Sequence, residues 1–259
     1  MALPKGTTMH SVRFTAESTS DGVRERDFLV GDIPGALWTT VSGPGRAPIV
    51  LAGHNAGLHK KAPGLRASAR RIAAAWGFTV VAIDAPGHGD RPRTEEDERA
   101  RTQIREAVAA GDTARFAAAS TRFTASLADR AVADWRVTLD ALQALPQVGD
   151  APVGYGGGIA MGTAIGVRLT AVEPRIRAAV FGGGFFADEP VLEAARRITV
   201  PVQFLLPWDD RHADRDAALA LFDAFAAADK TLHARPGDHH SARWDGVDDT
   251  FLSRHLSRA

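Results

Sequence analysis

Apolar positions along this chain follow two periods. Short apolar runs bounded by Gly or Pro alternate with longer stretches whose apolar residues recur every three or four positions. Residues 24–41 predict two strands around the turn cluster Gly31-Asp32-Ile33-Pro34-Gly35. The runs at 48–53 and 79–84 have the pattern of strands buried on both faces. Between them Leu65, Ala69, Ile72, Ala73 and Trp76 lie at helical spacing, and Gly77 stands where a helix C-terminus favours it. Further strands are predicted at 153–157, 178–181, 202–206 and 231–234. Helices are predicted at 128–145, where Ala128, Val132, Trp135, Leu139 and Leu142 form one stripe, and at 161–172, 189–197, 214–228 and 247–257. This alternation predicts an α/β fold, a mostly parallel sheet covered by helices on both sides.

Residues 91–127 break the alternation. They carry no strand signal and predict one or two polar helices, split at Gly111-Asp112 with Asp112 as an N-cap. An insertion after a strand's C-terminal end lies over the crevice where open α/β sheets bind ligands, so a helical lid is expected. The 259 residues are expected to form a single domain, 1–259, with 91–127 inserted in it.

Lys and Arg together number 31, as do Asp and Glu, which argues against a nucleic acid or an anionic membrane as partner. Cysteine is absent, excluding disulfides, thiolate metal sites and a cysteine nucleophile. No apolar run reaches the roughly 20 residues of a membrane span, and residues 1–14 carry no signal-peptide pattern. A soluble cytoplasmic protein is expected, acting on a small molecule as a monomer or homodimer, without cofactor or metal.

The chemistry centres on Gly154-Tyr155-Gly156-Gly157-Gly158-Ile159-Ala160-Met161-Gly162. Read as Gly158-x-Ala160-x-Gly162 between a strand and a helix, it is a nucleophile elbow, G-x-S-x-G, with alanine in the serine position. No register satisfies G-x-G-x-x-G, and no G-K-[S/T] follows, so dinucleotide and nucleoside-triphosphate sites are not indicated. The candidate acid is Asp210, on the loop after the strand at 202–206, with Asp209 as competitor. The candidate base is His239, in Pro236-Gly237-Asp238-His239-His240 after the last strand, with His240 as competitor. The adjacent histidines have no metal-site spacing. Oxyanion donors are sought in the backbone N–H groups of Asn55, or alternatively Ala56, and of Met161. Tyr155, Gly156, Phe185 and Trp208 are candidate substrate contacts; Phe186, Phe116 and Phe123 could equally wall a pocket or fill the core.

With these residues in place the chain resembles the α/β-hydrolases. The elbow, Asp210 and His239 follow that family's order of nucleophile, acid and base. Asp84-Ala85-Pro86-Gly87-His88-Gly89-Asp90 resembles its D-x-P-G-H-G loop, in which His88 is structural. The resemblance runs from about residue 24 to the end, and is strongest to small bacterial hydrolases of the dienelactone-hydrolase or acyl-esterase kind. It implies a mostly parallel eight-stranded sheet flanked by helices, with the lid at 91–127. Two departures stand at the elbow: alanine replaces serine, and glycine replaces a bulky aromatic before it. The loop at His54 also lacks the family's glycine run.

Two explanations of Ala160 follow. A serine hydrolase acting on an ester, thioester, lactone or amide has been disabled by replacement of its nucleophile. Alternatively the serine was lost naturally, and the His239/Asp210 dyad serves as a general base in epimerase, cyclase or lyase chemistry. A non-catalytic ligand-binding protein is a third possibility, with less reason to keep Asp210 and His239.

Overall fold

The computed structural model describes residues 10–43, 45–157, 160–183, 187–210, 214–239, 241–242, 244, 247 and 250–257. Strands β1 (Val12–Ser20), β2 (Val23–Val30) and β3 (Ile33–Thr40) make an antiparallel meander. They lead into β4 (Ile49–Ala52), β5 (Thr79–Ile83), β6 (Val153–Gly156), β7 (Ile176–Gly182), β8 (Val202–Pro207) and β9 (Lys230–Arg235), which pair in parallel. The described residues form one nine-stranded sheet in the order β1-β2-β3-β5-β4-β6-β7-β8-β9. Nine strands replace the eight expected. The additional one, β1, is a sheet-edge strand with little buried surface, so it carries almost no apolar alternation.

Seven helices are described: α1 (Pro63–Trp76), α2 (Glu95–Ala109), α3 (Thr113–Gln143), α4 (Met161–Val172), α5 (Glu189–Ala195), α6 (Arg215–Ala224) and α7 (Phe251–Leu256). Pro63 opens α1, and Gly77 closes it in the left-handed conformation (φ 69°), which glycine adopts without steric cost. Thr94 and Asp97 form a reciprocal capping box on α2, and Asp112 caps α3 through Arg115 N–H. The lid boundary expected at 127 is absent. The second predicted lid helix and the helix predicted at 128–145 are one continuous α3, because no glycine or proline interrupts 113–145. Among the described residues no helix is long and apolar enough to cross a membrane.

Successive strand residues feed opposite faces of the sheet. Ile49, Leu51, Val81 and Ile83 pack with α3, α4, α5 and α6, whereas Val50, Ala52, Val80 and Ala82 pack with α1 and α7. The parallel strands therefore read as continuous apolar runs, as the sequence suggests.

The loop after β5 is held by a buried ionic knot. Asp84, with no exposed surface, accepts hydrogen bonds from the backbone N–H groups of Lys60 and Asp90 and from Lys60 Nζ at 2.7 Å. Lys60 Nζ also reaches Asp90 at 2.6 Å. Burial disfavours the ammonium, yet the two carboxylates hold its pKa above the ordinary value. Further along the same loop, His88 Nδ1 donates to the Pro86 carbonyl, and Arg101 of α2 donates to His88 Nε2 at 3.0 Å. That pattern requires a neutral ring. Burial, reinforced by nearby His54 and Arg101, pushes the His88 pKa to about 4.

Two outcomes are expected. Lys60→Met leaves Asp84 buried without its cation and lowers the free energy of unfolding by about 3 kcal/mol, read by urea denaturation. The second concerns pH. His88 binds protons less readily folded than unfolded, so its contribution is complete above pH 6.5 and is lost as pH falls toward about 4. Stability measured between pH 7 and 4 falls over that window by up to roughly 3 kcal/mol, and His88→Gln flattens the slope.

Candidate active site

The C-terminal ends of the parallel strands carry the site. Helix α4 follows β6 in the chain, and Ala160 caps it with φ 62° and ψ −113°. A residue with a Cβ held there costs about 1–3 kcal/mol. Among the described residues only Asp21, Arg46 and Ala160 have positive φ without being glycine, and the first two lie in exposed turns. Neighbouring strands fix the strained turn: Gly157 N–H donates to Val180 O, and Ala160 N–H donates to Gly183 O, both at 3.1 Å. Gly158 and Ile159, the remaining elbow positions, lie outside the described residues.

Small residues let two segments close on each other beneath the elbow. A Cβ on Gly162 would sit 3.2 Å from His54 O, and one on Gly53 would sit 2.3 Å from Tyr155 Oη. Tyr155 has no exposed surface, and its hydroxyl donates to Gly162 O. Tyr155 was expected at the substrate; it braces the first turn of α4 instead, and its burial pushes the phenol pKa upward.

The loop after β4 is tied from both sides by His54. Its Nε2 accepts from Ala85 N–H at 3.0 Å, so Nδ1 carries the proton and donates to Asn55 O at 3.0 Å. Burial lowers the His54 pKa, keeping the ring neutral. The His54 and His88 rings lie 5.4 Å apart, so Arg101, His88, His54 and Asn55 form a continuous chain from α2 to this loop. The signal for His54 in the sequence is the Gly53-His54 dipeptide directly after a strand, and no motif marks its role. Met161 opens α4, where a backbone N–H has no intrahelical acceptor. Asn55 and Met161 thus lie in segments packed against each other at Gly53 and Gly162, beside Ala160.

Farther along the rim, β8 and β9 end together, with Pro207 paired to Arg235. Asp210, whose side chain is 3% exposed, accepts from His239 Nδ1 at 2.7 Å and from His239 N–H at 3.3 Å. Asp209 points elsewhere and accepts from Gly237 N–H at 2.9 Å. His240 and Phe185, like Phe186, lie outside the described residues. Trp208, expected near substrate, is 41% exposed, with the Arg215 guanidinium 4.5 Å above its ring. Phe123 packs against the main core, and Arg101 lies over its ring. Gly156 lines a cavity on the α1 and α7 side of the sheet.

No protein-family model and no curated protein matches the chain. Solved structures do. A cold-adapted esterase from an Arctic intertidal metagenomic library, in a polyethylene glycol-bound form, is 29% identical with a TM-score of 0.70; the match covers 93% of this chain and 97% of that one. Acetyl xylan esterase 1 from Thermoanaerobacterium is 15% identical with a TM-score of 0.65, covering 96% of this chain and 88% of that one. With the strand order and the strained strand-to-helix turn, these similarities establish that the chain has the α/β-hydrolase fold.

Proposed function

We propose that this chain is a carboxylic ester hydrolase scaffold in which Ala160 occupies the position of the serine nucleophile. The hydrogen bond between His239 and Asp210 carries this reading, because it supplies an oriented base on the rim where Ala160 is strained. With Nδ1–H donated to Asp210, His239 Nε2 is left as the acceptor that would take a proton from a hydroxyl at position 160. The N–H groups of Asn55 and Met161 would stabilise the oxyanion of the tetrahedral intermediate. The substrate class is an ester, or a thioester, lactone or amide, and the similarity to esterases favours the ester. Without Oγ no acyl-enzyme forms, so the chain as it stands binds substrate without this route to cleavage.

A second reading rests on the same dyad together with the methyl group at position 160. His239 would abstract a proton from a bound carbonyl compound, and the two amide hydrogens would hold the enolate, as in an epimerase, cyclase or lyase.

Replacing the alanine separates these readings. Ala160→Ser is expected to cleave short nitrophenyl esters about 10⁶-fold faster than the chain as it stands, and to gain a covalent adduct with a fluorophosphonate by mass spectrometry. Adding His239→Ala should remove most of that gain. A folded serine variant that neither labels nor turns over sinks the hydrolase reading. Turnover of a non-ester carbonyl compound by the unaltered chain, lost in His239→Ala, establishes the second.

A further inference from the structure

Arg101 of α2 is a partly buried guanidinium that no described carboxylate balances. Its acidic neighbours on α2 are committed elsewhere, Asp97 to Arg130 at 2.6 Å and Glu98 to Arg93 at 3.1 Å. Its Nε is buried without an acceptor, and burial, with Arg93 close by, lowers its pKa. A buried cation without a counter-ion costs stability unless its hydrogen bonds return it. The bonds that Arg101 makes go to one loop: Nη2 donates to Gly87 O at 3.3 Å and to His88 Nε2 at 3.0 Å.

That loop is a closed turn. His88 N–H donates to Ala85 O, and His88 Nδ1 donates to Pro86 O, both at 3.0 Å. Its other end is bonded to the loop after β4, because Ala85 N–H donates to His54 Nε2. The His54 ring, 5.4 Å from the His88 ring, donates from Nδ1 to Asn55 O, which also accepts Leu58 N–H at 3.1 Å. The backbone at Asn55 is therefore held at its carbonyl by two donors. One of them belongs to a ring that is pinned to the 85–88 turn.

We propose that Arg101 is a positioning residue for the oxyanion donor at Asn55: by clamping the 85–88 turn it fixes His54, and His54 fixes the backbone at Asn55. In this role Arg101 touches neither the substrate nor the reacting atoms. The consequence for turnover rests on the hydrolase reading; the clamp itself does not.

Two measurements test the clamp. With Ala160 in place, hydrogen exchange of the Ala85 amide reads it directly, since that N–H is bonded to His54. Arg101→Met is expected to lower the protection of this amide by about tenfold or more, with circular dichroism and the exchange of Val81 in β5 unchanged. Arg101→Lys keeps a donor for His88 and should restore most of the protection. On the Ala160→Ser background, Arg101→Met should lower kcat about 10- to 100-fold with KM within about twofold, because a misplaced oxyanion donor is felt in the transition state. His88→Phe cuts the same link from the other side and keeps the test decisive if Arg101→Met does not fold. Unchanged Ala85 protection in a folded variant, or unchanged kcat in an active background, overturns the proposal. So does a rise in KM at constant kcat, which would put Arg101 at the substrate. Lost protection alongside an inert Ala160→Ser chain leaves the clamp standing and removes the hydrolase reading alone.

Discussion

The backbone at Ala160 is held in a conformation that alanine does not choose, and the rim is organised around it. The positive φ belongs to the residue that caps α4, directly before Met161. The cost, about 1–3 kcal/mol, is offset by contacts that leave the turn no alternative. Gly183 accepts the Ala160 N–H, Gly162 sits against His54 O, and the Tyr155 hydroxyl grips Gly162 from below.

Neutral histidines do the positioning around this turn. His54 and His88 are buried, lowered in pKa and fixed in one tautomer by a donor on one nitrogen and an acceptor on the other. A charged ring would lose its acceptor role toward Ala85 N–H or Arg101 and would face a guanidinium or the Lys60 ammonium at close range. Helix α2, placed by sequence as part of a lid, therefore makes a specific polar connection to the loop beside the elbow through Arg101.

Much of this was legible because burial on both faces writes itself into sequence as uninterrupted apolar runs. The parallel strands, the helices at α1 and α4, the Gly77 and Asp112 caps and the location of the elbow all follow from local pattern. What was not legible depends on partners distant in sequence. Strand β1 is held by its neighbour at the sheet edge rather than by an apolar face. Whether Asp209 or Asp210 meets a histidine is decided by the twist of one loop, and the structure pairs Asp210 with His239. Tyr155 looked available beside a glycine-rich turn, yet period-two alternation turns it under α4. The cavity is an absence of atoms, set by the shortness of α7 and the bareness of Gly156.

The elbow and the dyad carry different weight as witnesses to chemistry. Packing alone accounts for the elbow: Gly53, Gly162 and Tyr155 hold its shape around Ala160, so the turn by itself does not testify to chemistry. Packing gives no comparable reason to keep Asp210 and His239. Asp210 is a carboxyl group almost wholly removed from solvent, where an ion is expensive unless paired. Its partner is a side chain that still reaches the solvent, on a loop that an apolar pair could close equally well. Asp210 and His239 thus pair a buried carboxylate with an imidazole that reaches the surface, an arrangement suited to moving a proton, at the strand ends that also carry Ala160.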